Sequence, residues 1–126
     1  MELKFRAYHK YMQKMLVPIK IHLENWVVTS FETLLDDNVY QVKIDDRAYW
    51  LEIMQYTWLK DKNWKEIYEG DILEYSIQWI TQKPYYVVKD MLDLRLQMNR
   101  DDNYYRWDEC TTVVWNIYEN ADLLTN

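Results

Sequence analysis

Gln55–Tyr75, QYTWLKDKNWKEIYEGDILEY, decides the fold. The segment reads as the end of one strand, a polar turn over Lys60-Asp61-Lys62-Asn63, a short strand at Lys65–Tyr68, a tight Glu69-Gly70-Asp71 corner, and a strand at Asp71–Trp79. Asp and Asn suit the turn because their side chains bond nearby backbone and tolerate left-handed geometry. Gly70 suits the corner because it has no Cβ to resist φ > 0, and it is the only glycine in the chain.

Further strands lie on either side. Lys4–Tyr8 (KFRAY) is short and aromatic. In Met15–Leu23 (MLVPIKIHL), Ile19, Ile21 and Leu23 alternate with Lys20 and His22, and Pro18 argues for an edge position or a bulge. Val27–Leu35 runs to an Asp36-Asp37-Asn38 turn. Val39–Ile44 alternates strictly, placing Tyr40, Val42 and Ile44 on one face. Ala48–Thr57 delivers the chain to the central segment, and Thr111–Tyr118 closes it. Tyr86–Asn99 satisfies both periods: Leu92, Leu94, Leu96 and Met98 alternate as in a strand, while Val87, Met91, Leu94 and Met98 fall on one helical face. Its Leu, Met, Arg and Gln content favours the helix. The expected fold class is mainly β with some α (α+β): a strongly bent antiparallel sheet or small barrel plus one helix near residues 86–99.

The chain has 126 residues, which fits one domain. Hydrophobic residues make up 49% and charged residues 29%, too apolar a mixture for disorder. The net charge of −6 offers no global attraction to a phosphate backbone, so nucleic-acid binding is disfavoured. Cys110 is the single cysteine, which rules out an internal disulfide and fits a reducing cytosol. The opening MELKFRAYHKYMQK has no apolar h-region of a signal peptide, and no run approaches the ~18 apolar residues of a membrane helix. The expected location is cytoplasmic. One imbalance stands out: 7 Trp against 1 Gly, where average usage of ~7% would give about nine glycines.

Three blocks carry a resemblance: KFRAY at 4–8 with Lys14-Met15 after it, YTWLKDKNWKEIYEGDIL at 56–73, and VVWNIYENADLL at 113–124. In order and spacing they resemble the YopX family of small phage and prophage proteins, while residues 76–110 match loosely. The resemblance implies one YopX-like domain over 1–126, with an SH3-like β-barrel roll and an α+β portion, in the cytoplasm of a bacterial host. It implies no activity. It marks Lys60, Asp61, Asn63, Tyr68, Glu69, Gly70 and Asp71 as structural turn residues, with Asn116, Tyr118, Glu119 and Asn120 in the closing block. It also shows a pattern of departures: Trp58, Trp64 and Trp115 stand where the family usually has Gly, and Ala121 where it has Pro. At Asn63-Trp64 the departure matters physically, because Asn-Gly is the preferred pair for a type I′ hairpin turn with both residues at φ > 0. A gene whose UGA codons are read as glycine, translated with UGA as tryptophan, would generate this pattern.

No constellation announces chemistry. The Asp36/Asp37, Asp45/Asp46 and Asp101/Asp102 pairs sit at predicted turns, where adjacent Asp residues bond their own backbone and lack the converging oxygens of a Ca²⁺ or Mg²⁺ site. His9 and His22 have no partner at metal-ligand spacing, and Cys110 has no flanking His. A single glycine excludes any Gly-rich phosphate cradle. The expectation is a non-enzymatic phage or prophage accessory protein with no cofactor, metal or catalytic residue. It would bind a protein, either copies of itself or a host factor, and counter-defence is one form of this. The alternatives are a nucleic-acid-associated small β-barrel, as such barrels often bind polynucleotides, and a small metal-dependent enzyme.

Overall fold

The computed structural model describes residues 3–45, 49–75, 85–90 and 110–120. Among the described residues ten strands follow in chain order: β1 (Phe5–His9), β2 (Lys14–Leu16), β3 (Pro18–Glu24), β4 (Val27–Leu35), β5 (Asn38–Lys43), β6 (Leu51–Lys60), β7 (Glu66–Tyr68), β8 (Asp71–Tyr75), β9 (Tyr85–Val87) and β10 (Thr111–Asn116). The chain divides into two units, Met1–Met54 and Gln55–Asn126, with β6 running from the first into the second.

In the first unit β3, β4 and β5 form a three-stranded antiparallel meander, and β1 pairs with β2 through Ala7↔Leu16. The core is Phe5, Ala7, Leu16, Phe31, Val42 and Leu51. Phe5 and Phe31 meet edge to face at 5.5 Å and 86°, the arrangement the ring quadrupoles favour. Each such side chain contributes about 1.5–3 kcal/mol on burial. Thr33, fully buried beside them, donates its hydroxyl to the Val17 carbonyl at 2.9 Å. The alternation expected for β3 is broken. Its pairing with β4 shifts twice: Ile19 is the extra residue on β3 between Pro18 and Lys20, and Thr29 is the extra residue on β4 opposite the His22–Leu23 step; Ile19 and Leu23 are exposed while Ile21 packs inward. Each extra residue slips the pleat by one and turns the succeeding side chains to the opposite face.

In the second unit β7 pairs with β6, and β8 lies between β10 and β9. Its core is Ile67, Leu73, Val88 and Val113, flanked by Leu59, Tyr75 and Tyr86. The α+β expectation is overturned here. Strand accounts for 66% of the described residues, and every element among them is a strand, with Cys110 the single residue in helical conformation. The part of 86–99 that is described belongs to β9, where Val87 pairs with Ile72, Tyr86 with Leu73 and Tyr85 with Glu74, followed by irregular chain to Asp90. Two tyrosines and a valine beside a buried strand gain more from cross-strand packing than from helix propensity, which is a weak preference that tertiary contacts override. Residues 91–99 lie outside the described part, as do 76–79 of the strand expected at Asp71–Trp79.

Among the described residues three tryptophans adopt left-handed backbone: Trp26, Trp58 and Trp64, each at φ 65°. Asn25-Trp26 forms the two-residue turn between β3 and β4, with Asn25 at φ 51° and the Glu24↔Val27 pair closing it, as in a type I′ turn. Trp58 lies where the β6–β7 register shifts between Tyr56 and Leu59. Trp64 ends a three-residue loop, its N–H donating to Asp61 O at 3.0 Å while Asp61 N–H donates to Lys65 O at 2.9 Å. This is a type I turn closed by a left-handed residue, the place where glycine forms a G1 bulge. It differs from the type I′ form expected at Asn63-Trp64, since Asn63 is not left-handed. Trp115 sits at the β10 bulge without positive φ.

A Cβ in this region costs roughly 1–2 kcal/mol. Trp26 is 95% exposed, so packing offsets little of that cost. Trp26→Gly should raise stability by about 1 kcal/mol, a Tm gain of about 3–6 °C in thermal melts of a chain this size. A lower Tm would show that the indole contributes more than the geometry costs.

Candidate functional site

The turn residues marked in the sequence are brought together in the second unit, where they stitch its strands. Asp61 is 3% exposed. Its Oδ1 accepts from Asn63 N at 2.8 Å and Lys65 N at 2.9 Å, which shapes the loop, and its Oδ2 accepts from Val113 N at 2.9 Å, which ties the loop to β10. Lys62 N adds a bond to Thr111 O at 3.0 Å. Lys60 pairs with Glu66 across the hairpin, its ammonium 5.8 Å from the Trp64 ring centroid.

At the second corner Gly70 has φ 86°, donates to Val88 O at 2.7 Å and accepts from Ile117 N at 2.9 Å. Asp71 Oδ2 accepts from Tyr68 N at 2.8 Å, and Glu69 Oε1 accepts from Gln55 N at 2.8 Å. Asn116 Oδ1 accepts from Tyr118 N and Glu119 N at 3.1 and 2.8 Å, and its amide donates to Glu119 Oε1 at 2.6 Å. Asn120 Oδ1 accepts from Asn116 N at 3.2 Å. Most of these bonds run from a main-chain N–H to a side-chain oxygen, and this engages the motif's acceptor atoms in holding turns.

The remaining candidates stay apart. Asp36 and Asp37 are the left-handed turn between β4 and β5, at φ 50° and 66°. Asp46, Asp101 and Asp102 lie outside the described residues. His22 stands 3.8 Å from Glu32 on the β3–β4 ladder, and Cys110 is half-buried in the second unit. Among the described residues no three His, Cys, Asp or Glu side chains gather as a metal site would require. No described helix is long and apolar enough to cross a membrane.

What the sequence did not announce is a cleft of about 540 Å³ in the first unit, within the usual range for ligand pockets. Buried Leu16 and Val42 and half-buried Leu35 give it an apolar base, and Tyr40, Trp50 and His9 contribute rings. Lys14, Lys43, Asp36 and Asp45 bring charge of both signs. His9 is fixed by accepting Met12 N at Nδ1, 3.0 Å, so a neutral ring carries its proton on Nε2. Its ring lies 4.5 Å from that of Trp50 at a tilt of 43°, and Tyr11 meets it edge-on at 6.4 Å. The hydrogen bond that Tyr11 shares with Tyr49, aided by the charge of that phenol, pushes the Tyr11 pKa above its ordinary value. A row of rings thus runs from Tyr49 through Tyr11 and His9 to Trp50. Strict alternation in Val39–Ile44 had already set Tyr40 and Val42 on one face. The cleft itself needed the β1–β2 connection and Trp50 to close over them, and no local spacing reports that.

No curated protein matches the chain. Among solved structures it is similar to the crystal structure of protein EF1440 from Enterococcus faecalis, at 23% identity and a TM-score of 0.55, with 98% of this chain and 99% of that one covered. That likeness shows the fold alone. The model of the YopX protein family matches residues 4–125, nearly the whole sequence, and the chain belongs to the YopX family.

Proposed function

We propose that this YopX-family chain is a phage or prophage accessory protein that acts by binding an extended segment of a protein partner along β5, with a large apolar or aromatic side chain of that segment seated in the cleft. The observation that carries this reading is the position of the cleft on β5: Tyr40, Gln41, Val42 and Lys43, four consecutive residues of the strand, all line it. Among the described residues β5 ends its sheet, in the order β3-β4-β5.

The register says which edge groups are available. Leu35↔Asn38 closes the two-residue turn, so Thr33↔Tyr40 and Phe31↔Val42 exchange the ladder bonds, and the N–H groups of Val39, Gln41 and Lys43 point outward. An added strand gains affinity from those groups, and selectivity from the pocket beside them. The ring row at the cleft supplies the residue types that dominate interface energetics.

The test is selection of a random peptide library on the full chain. Enriched peptides should carry a large apolar residue, and Tyr40→Ala and Gln41→Pro should each weaken them about tenfold, the equivalent of ~1.4 kcal/mol. Proline at 41 removes an outward donor without breaking the ladder. Glu119→Ala, in the other unit, should leave binding unchanged. Absence of enrichment, or peptides indifferent to both β5 variants, would overturn the proposal.

A further inference from the structure

We infer that residues 26, 58 and 64 are glycines in the protein as its own cell makes it, because the gene's codons at those positions are UGA and that cell reads UGA as glycine. The backbone carries the argument. Of the five tryptophans among the described residues, at 26, 50, 58, 64 and 115, three share φ 65°. Left-handed non-glycine residues are uncommon and for a bulky side chain are outliers. The other left-handed non-glycine positions here are Gln13, Asn25, Asp36 and Asp37, and Asn and Asp are the residues that tolerate this region.

The three tryptophans also occupy three different motifs, each of which asks for glycine on its own account. Trp26 is the second residue of a type I′ turn, after Asn25; Trp58 is at a bulge within a strand; Trp64 closes a type I turn with a bulge. At the two hairpin tips the side chains pack little, Trp26 and Trp64 being 95% and 80% exposed, and the Lys60 ammonium 5.8 Å from the exposed Trp64 ring is a weak contact against the cost of the backbone. Trp50 behaves as a tryptophan should, half-buried against the first core with its ring on His9. Tryptophan and UGA are one third-base change apart, through UGG, whereas no glycine codon of the ordinary code differs from UGG by its third base. The composition has the same cause: 7 Trp and 1 Gly in a 126-residue chain.

Two measurements test it. Sequencing the gene should find UGA at 26, 58 and 64 and UGG at 50, and UGG at any of the first three overturns the inference for that position. Mass spectrometry of the protein isolated from its native cells should show the peptides spanning these sites lighter by one indole-bearing side chain each. Peptides carrying the full tryptophan mass there overturn it even if the codons are UGA.

Discussion

Asp61→Ala should destabilise the protein by about 3–4 kcal/mol, lowering the urea midpoint by roughly 2 M. The carboxylate accepts three main-chain N–H groups, from Asn63, Lys65 and Val113. Water can replace it at exposed Asn63 and Lys65. It cannot at Val113, which is buried in the second core and whose N–H would be left without an acceptor. Asp61→Asn separates the two roles: one amide oxygen still shapes the loop, but the NH₂ group then faces the Val113 donor. That variant should retain part of the stability and lose the remainder. An Asp61→Ala midpoint within 0.3 M of the parent, on the order of 0.5 kcal/mol, would show that the stitch to β10 is dispensable.

The second large effect is expected at Gly70. Gly70→Val should cost about 3 kcal/mol and Gly70→Ala about 1–2 kcal/mol, because φ 86° crowds any Cβ and a branched one more. The corner has no freedom to relax, since moving the peptide would stretch the 2.7 Å bond to Val88 O and the 2.9 Å bond from Ile117 N together. Chemical denaturation of the two variants should therefore rank them Val below Ala below parent. An equal loss for both would place the cause in flexibility of the chain rather than in the steric demand of the corner.

Much of this was legible in residues with a single conformational purpose. Gly70 announces a corner by having no Cβ, and Asp61 a turn by a carboxylate that bonds the backbone two and four residues on; its further bond to Val113 was not legible, being set by the meeting of distant strands. Trp64 was legible as a misfit because Asn63 precedes it. Trp26 is less legible, although Asn25 precedes it in the same way, since no polar cluster surrounds the pair to mark a turn. Tyr86 and Val87 misled because their apolar run fits two periods, and what selects between them is the Leu73 and Ile72 partners on another strand. The bulge at Ile19 on β3 and the one at Thr29 on β4 left no trace in the alternation of either strand. The cleft was unreadable for a different reason: His9, Leu16, Tyr40 and Trp50 are far apart in the chain, and their meeting is a property of the assembled strands.

The bond from Asp61 to Val113 spans 52 residues, and this sets an order of events during synthesis. The meander of β3, β4 and β5 closes through two-residue turns and can form as soon as it leaves the ribosome. The 61–65 loop must wait with its carboxylate unanswered until β10 emerges. Contacts of such long range are slow to close, so the second half of the nascent polypeptide carries the greater exposure to misassembly, and a pause or truncation before residue 113 would leave a finished first half attached to an unfolded remainder.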